Sequence, residues 1–303
     1  SSSGTVTAAF DGNGTFTGNL GTTVTTVASG VTLTAAASVA NGKTIGGGSG
    51  TVAVTALDAT LAANLSTITA GTVTAAFSND GTFTGNLGTA VTTVAATKTL
   101  TTTAAIADGK TITGASDGSI AITALHSTLA ANLSGLTSSS GTVTAAFDGN
   151  GTFTGDLGTA VTTVATGVTM TAAANVVAGK TVDKAGTGAL AVQVGNADAA
   201  VDLTTIAGTA FASVTVTADV TFTGTLDDTV ATSINNGVTL TTTAAKVTAK
   251  TLSGSGTVAV TALDATLAAD LSNVGSTTVT AAFSNDGTFT GDLGTAVTTV
   301  ASG

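Results

Sequence analysis

The segment SSSGTVTAAFDGNGTFTG at residues 1–18 recurs unchanged at residues 138–155, and related versions start near residues 70 and 276. The phenylalanine of its TFTG portion marks the period. It returns at nearly equal intervals, as Phe16, Phe83, Phe153, Phe222 and Phe289. The chain is therefore built from a unit of about 69 residues, and a fixed period of this kind is typical of repeat architectures.

The units follow one another without a linker. They cover approximately residues 1–67, 68–137, 138–206, 207–274 and 275–303, the last being partial. No proline-rich spacer or run of charge separates them, as it would between independent domains. We therefore expect one continuous array over residues 1–303 in which each unit packs on its neighbours. Because neither end carries a more polar, capping copy, the sequence also suggests a window from a longer array.

Within a unit, threonine alternates with apolar residues over short segments. In Thr15-Phe16-Thr17 the alternation directs the phenylalanine inward and both threonines outward, which is the period of a half-buried β-strand. Asp-Gly and Asn-Gly pairs, such as Asp11-Gly12 and Asn41-Gly42, separate these segments and predict tight turns. The strands predicted in the first unit are residues 5–10, 15–20, 22–28, 30–35, 43–46 and 51–57.

These features predict an all-β, repeat-built β-solenoid of the β-helix kind. If one coil takes roughly 20–25 residues, each unit makes about three coils. The alanine run at 35–37 and the leucine-containing segment at 57–65 are each compatible with a short helical turn or with a strand. The alternative fold is a tandem of small β-sandwiches, although an immunoglobulin-type domain needs about 100 residues.

The phenylalanines fall in the same scheme, mostly as pairs six residues apart. Large apolar residues at a fixed repeat position predict a buried ladder in the core of the array. Threonines on both sides of Phe16, Phe83, Phe153, Phe222 and Phe289 argue against a row of exposed binding side chains. The predicted core ladder consists of Phe10, Phe16, Phe77, Phe83, Phe147, Phe153, Phe222, Phe283 and Phe289.

The composition excludes several classes of protein. Hydrophobic residues make up 43% of the chain, too large a share for a disordered segment. The net charge is −10 and the few bases are scattered lysines, so nucleic acid is not an expected partner. No apolar run approaches the ~18 residues that a membrane-spanning helix needs. Because the chain has no cysteine, it forms no disulfide bonds.

Few residues are candidates for catalysis or metal binding. His126 is the only histidine, and it stands where the matching units have Asp58 and Asp264. A catalytic or zinc site would need partner histidines or cysteines, so we expect neither an enzyme nor a bound cofactor.

One loop resembles the beginning of a calcium site. It reads Asp-Gly-Asn-Gly at 11–14 and at 148–151, and its calcium candidates are Asp11, Asn13, Asp148 and Asn150. A plain turn is the competing interpretation, because the matching loops at 78–81 and 284–287 read SNDG and no glutamate follows.

The segments TVTAAF, TFTGNL, GKTI and TVAVTALDATLAANLS resemble the Thr/Ala/Gly-rich β-strand repeats of large secreted bacterial surface proteins of the surface-layer and adhesin type. The resemblance covers the whole chain, but it rests on composition and repeats and transfers no functional residues. It implies an extracellular or cell-surface location and a structural role as a surface layer, fibre or adhesin stalk. Such a protein would assemble with copies of itself through stacked β repeats, in some surface layers with calcium between subunits. The alternative is a binding module whose threonine-rich face contacts surface glycans or ice.

Overall fold

The computed structural model describes residues 5–46, 48–276 and 278–300. Short parallel strands dominate these residues. The strands are β1 Thr7–Phe10, β2 Gly14–Phe16, β3 Val24–Val27, β4 Thr32–Ala36, β5 Ile45–Gly46, β6 Thr51–Thr55, β7 Ile68–Thr69, β8 Thr72–Phe77, β9 Gly81–Phe83, β10 Val91–Val94, β11 Thr99–Thr103, β12 Ile112–Gly114, β13 Ser119–Thr123, β14 Leu136–Ser138, β15 Val143–Phe147, β16 Gly151–Phe153, β17 Val161–Val164, β18 Thr169–Ala173, β19 Val182–Lys184, β20 Ala189–Val194, β21 Phe211–Val216, β22 Val220–Thr221, β23 Thr232–Ile234, β24 Thr239–Thr243, β25 Leu252–Gly254, β26 Thr257–Thr261, β27 Thr278–Phe283 and β28 Val297–Val300.

Single helical turns connect some of these strands. The α-helices are α1 Ala37–Ala40, α2 Ala104–Ala107, α3 Ala174–Val177 and α4 Ala244–Val247, and the 3₁₀ turns are Leu57–Ala59, Leu125–Ser127, Asn196–Asp198, Leu203–Thr205 and Leu263–Ala265. The short helical turns allowed by the sequence are thus confirmed, one beginning at Ala37 and one at Leu57. A residue in the left-handed conformation, Ala56 at φ 51°, turns the chain from β6 into the 3₁₀ turn.

The chain forms two compact units. The first contains the residues up to Asp148 together with Gly155–Thr162, and the second contains Gly149–Thr154 together with the residues from Thr163 onward.

The first unit contains three series of parallel strands. One follows the order β1-β3-β5-β7, the second β2-β4-β6-β8-β10-β12-β14, and the third β9-β11-β13-β15. Strands that are neighbours in a sheet belong to successive coils of the chain, which is the connectivity of a β-solenoid. The prediction of an all-β solenoid is confirmed. Parallel pairing also rules out the sandwich alternative for these strands, because β-sandwiches are built from antiparallel sheets.

The second compact unit also consists of parallel strands from successive coils, here in two sheets. Their orders are β16-β18-β20-β21-β23-β25 and β22-β24-β26-β27-β28, and the registered pairs are again parallel. One register shift interrupts the pairing of β20 with β21, between Leu190 and Ala191. Leu190 pairs with Phe211 and Ala191 with Ser213, so the extra residue is Ala212 of β21, in the fourth repeat unit.

A repeat unit contains more residues than three coils. Equivalent residues of the first two repeat units therefore occupy different positions within a coil. Three successive pairings lead from Gly14 through Leu33 and Val52 to Val73. The counterpart of Gly14 in the next repeat unit is Gly81, which lies further along the chain than Val73. The strand that begins at Gly81, β9, therefore starts a different sheet from its counterpart β2.

The phenylalanines follow this shift. Phe16 and Phe77 lie in one sheet, although they occupy different repeat positions, and Phe83 and Phe147 share the next sheet in the same way. The side chains of Phe77, Phe83, Phe147, Phe153 and Phe222 are fully buried. Those nearest the two ends of the array, Phe10, Phe16, Phe283 and Phe289, are half-buried. The continuous ladder along the array stays a prediction.

Candidate functional site: side-chain contacts between coils

One loop position carries an acidic or amide side chain that bonds to the next coil. Asn13 Oδ1 accepts a hydrogen bond from the backbone N–H of Thr32 at 2.7 Å. The same contact at 2.7 Å recurs in the pairs Asp80–Thr99, Asn150–Thr169 and Asp219–Thr239. Each side chain caps the N–H of a residue at the start of a strand, so it fixes where that strand begins above the loop.

Two of the four calcium candidates, Asn13 and Asn150, are therefore engaged in bonds between coils. The described residues include no group of three or more His, Cys, Asp or Glu side chains that could hold a metal ion. The calcium sites suggested by the sequence stay a prediction.

A second contact between coils starts from the 3₁₀ turn at Leu57. Asp58 Oδ1 accepts from the backbone N–H of Ser78, and its Oδ2 accepts from the side-chain amide of Asn79, both at 2.7 Å. Partial burial raises the pKa of this carboxyl, but the hydrogen bonds from Asn79 and Ser78 outweigh burial and leave it below its usual value.

The same contact is repeated at the 3₁₀ turn that begins at Leu263. Asp264 accepts from the N–H of Ser284 at 3.0 Å and from the side-chain amide of Asn285 at 2.8 Å. The bond from the Ser284 N–H, followed by that from Asn285, lowers the pKa of this carboxyl. Two turns that lie three repeat units apart thus carry the same donor and acceptor arrangement.

At the turn beginning with Leu125, the hydrogen-bond donor lies in the turn and the acceptor lies in the loop. His126 replaces the aspartate, and Asp148 stands where the other units have Ser78 and Ser284. His126 Nδ1 bonds to Asp148 Oδ1, and the Ser127 hydroxyl lies 3.3 Å from Nε2. Because a carboxylate only accepts, Nδ1 is the donor here.

The sequence alone gave His126 no histidine or cysteine partner and did not indicate Asp148. A signal for the contact was present: the unit that changes Asp to His in the turn also changes Ser-Asn to Asp-Gly in the following loop. The two changes are complementary, because an acceptor facing two donors became a donor facing an acceptor.

The remaining calcium candidate, Asp11, lies in the N-terminal coil. It is exposed and makes no hydrogen bond within the described part of the chain. By sequence it is the counterpart of Asp148.

We expect the Asp58 contact to make stability dependent on pH in acid. A carboxyl whose pKa is lowered by folding contributes stability that is complete above its unfolded pKa of about 3.9 and is lost as the pH falls through the lower folded pKa. The variant Asp58→Asn should therefore have a lower thermal midpoint than the parent at pH ~7, and the difference should shrink below pH ~4. Thermal unfolding followed by circular dichroism at both pH values measures this.

The matched control for this experiment is Asp11→Asn. It removes a carboxylate that has no hydrogen-bond partner among the described residues, so its midpoint should differ little from the parent at either pH. A constant difference between Asp58→Asn and the parent across the pH range would contradict the assignment.

Comparisons with protein-family models, with curated proteins and with solved structures found no match for this chain. Among the described residues, no helix is long and apolar enough to cross a membrane.

Proposed function

We propose that this chain is a non-enzymatic structural component of the cell surface or extracellular matrix, of the surface-layer, fibre or adhesin-stalk type. It assembles with copies of itself through stacked β repeats. The observation that carries the proposal is the parallel pairing of strands from coil to coil, which offers a further coil the same backbone hydrogen bonds.

One valine of the first described coil is exposed at a position that interior coils bury. Val6 is 66% exposed, whereas its counterparts Val73 and Val143 are 4% and 6% exposed. The strands next to it, β1 and β2, are the end strands of their sheets. Free N–H and C=O groups at such an edge, next to uncovered apolar side chains, favour pairing with a further strand.

The C-terminal coil shows the same feature. Val300 is 74% exposed, whereas Val94 and Val164 at the same repeat position are fully buried. The half-buried ring of Phe283 lines a cavity of about 180 Å³ beside Val300. A coil stacked on this end would cover both side chains and remove the unpaired edge of β28.

Electron microscopy and light scattering of the purified chain, with and without calcium, test the proposal. We expect filaments or sheets, and we expect Val6→Lys or Val300→Lys to prevent them, because a lysine on a stacking face leaves a charge to be buried. Thr55→Lys is the matched control, since Thr55 is exposed on the outer face of β6 and lies away from the open ends. Dispersed single chains at every concentration would contradict assembly by this chain.

A second candidate function rests on the outer faces of the sheets. Thr32, Thr51 and Thr72 are in register across three strands, and so are Thr239, Thr257 and Thr278. Strands stand about 4.8 Å apart, so each row is a regular line of hydroxyl and methyl groups. Such rows favour a binding module for surface glycans or ice, and chains that stay dispersed should be assayed for both.

A further inference from the structure

The 3₁₀ turn that begins at Leu125 carries chemical groups that the matching turns do not have. Residues 125–128 read LHST, whereas residues 57–60 and 263–266 both read LDAT. The loop that bonds to this turn reads DGNG at 148–151, whereas the loops bonded to the other two turns read SNDG. The substitutions place a histidine and a serine in the turn and an aspartate in the loop that contacts it.

The three side chains contact one another in sequence. Asp148 Oδ1 accepts from Nδ1 of His126, and the hydroxyl of Ser127 lies 3.3 Å from Nε2 on the other side of the ring. Because Nδ1 carries the proton that Asp148 accepts, the neutral imidazole has its Nε2 lone pair available to the serine hydroxyl. A hydroxyl beside a base, with a third group orienting that base, is the arrangement that activates a nucleophile.

The serine is accessible, and its base is unique in the chain. Ser127 is exposed, and the side chains of His126 and Asp148 are 36% and 46% exposed. A reagent in solution can therefore reach Ser127 Oγ. His126 is the only histidine in the sequence, so no other serine or threonine has an imidazole beside it. Reactivity above that of an ordinary hydroxyl should be confined to Ser127.

We propose that Ser127 is a nucleophile activated by His126, and that this turn is a site of covalent modification by activated carboxylic esters. Ser127 Oγ forms a bond to the carbonyl carbon of the ester while its proton passes to Nε2 of His126. The bond from that carbon to the leaving oxygen then breaks, and the proton on Nε2 passes to the leaving alcohol. Asp148 keeps its charge and stabilises the protonated imidazole, so it is a positioning residue.

The inference goes beyond the proposed function and does not rest on it. It uses one turn and one loop inside the array, and neither lies at an end of the sequence. An acyl group on an exposed serine modifies the chain and leaves the pairing of its strands unchanged. Dispersed chains would contradict assembly without affecting the reactivity of Ser127, and an unreactive Ser127 would leave assembly untouched.

Reaction of the whole chain with p-nitrophenyl acetate tests the nucleophile. Peptide mass spectrometry of acid-quenched samples locates the acetyl group and measures its rate of appearance at each residue, so that acetylation of lysines does not count. We expect Ser127 to be acetylated faster than any other hydroxyl of the chain. In Ser127→Ala that signal should disappear.

Two variants separate activation by the base from simple exposure. In His126→Gln the serine stays exposed but has no base, and we expect its acetylation to slow at least about tenfold. In Ala59→Ser a serine stands at the same position of an aspartate turn, and it should react no faster than Ser127 does in His126→Gln. Circular dichroism at the reaction temperature checks that each variant is folded.

Asp148→Asn tests the positioning residue. An amide can face Nδ1 as a donor or as an acceptor, so it does not fix the tautomer of His126, and we expect acetylation of Ser127 to slow about tenfold. Asp148→Glu restores a carboxylate on an exposed loop and should recover most of the rate. If Asp148 served the contact between coils alone, Asp148→Asn would lower the thermal midpoint and leave the rate unchanged.

Moving the three groups to another turn tests the inference without altering His126. Asp58→His, Ala59→Ser, Ser78→Asp and Asn79→Gly together rebuild the arrangement at the turn that begins with Leu57. We expect a second acetylation site at position 59, at least about tenfold more reactive than in Ala59→Ser alone. Acetylation of Ser127 that does not depend on His126, or no acetylation at either turn, would overturn the inference.

Discussion

Replacing Gly85 with alanine is expected to destabilise the solenoid by about 3 kcal/mol or more. The added Cβ would fall within the contact distance of the backbone carbonyl of Ala63 in the preceding coil. The coils cannot separate to make room, because Thr84 N–H bonds to Leu61 O at 2.8 Å before the clash and Asn86 N–H bonds to Ala63 O at 2.9 Å after it. Urea unfolding measures the loss, and amide exchange at Leu65 and Asn86 locates it.

The matched control is Gly18→Ala, at the same repeat position of the first unit. There the added Cβ meets the ring of Phe16, which is half-buried and able to turn aside. We expect a loss of no more than about 1 kcal/mol. If Gly18→Ala and Gly85→Ala lose stability equally, the close approach of the coils is not the reason for this glycine.

Close approach of the preceding coil also explains the glycine in the other TFTG segments. At Gly155, Gly224 and Gly291 an added Cβ would likewise strike a backbone carbonyl of the coil before it. The sequence shows that this glycine is repeated, but not that the cause is contact with a residue in the preceding coil.

Several features of the fold could be predicted from the sequence because they depend on local patterns. The period comes from repeated words such as TFTG, and the alternation around Phe83 and Phe153 predicts strands with a buried phenylalanine. These inferences need no knowledge of which strand lies beside which.

Strand boundaries depend on pairing and were less predictable. The predicted strand at 15–20 is the shorter β2, Gly14–Phe16, because the chain turns a corner there and Leu20 is buried beyond it. The segment GTF forms strands at β2, β9 and β16, but the identical residues 287–289 form none. In the interior, a strand of the next coil pairs with GTF, and β4 does so for β2. Local sequence does not contain that information.

The contacts between turns and loops could not be predicted from the sequence for a related reason. The number of residues between partners in neighbouring strands is not constant along the chain. Thr7 pairs with Val24, whereas Ile112 pairs with Leu136 across a clearly longer stretch of sequence. A spacing that varies in this way does not show that His126 faces Asp148. Only the three-dimensional register joins the two substitutions into one contact.

Truncating Phe83 to alanine is the second change with a large expected effect. Its ring is fully buried on the inner side of β9, and removing it deletes most of a large apolar side chain and leaves a cavity among packed neighbours. Substitutions of this kind cost about 3–5 kcal/mol. The backbone contact of this residue is kept, because its carbonyl accepts from Thr102 Oγ1 at 2.9 Å whatever the side chain is. Urea unfolding followed by far-ultraviolet circular dichroism measures the loss.

Phe16→Ala is the control, because Phe16 holds the same repeat position at the open end. Its ring is half-buried and packs edge-to-face on Phe10 with centroids 5.6 Å apart, so part of its surface is already in contact with water. We expect less than half the loss found for Phe83→Ala, since less apolar area leaves the core and Phe10 is free to move into the space. Equal losses would mean that burial at this position does not depend on the neighbouring coil. In that case an added coil would not stabilise this end of the array.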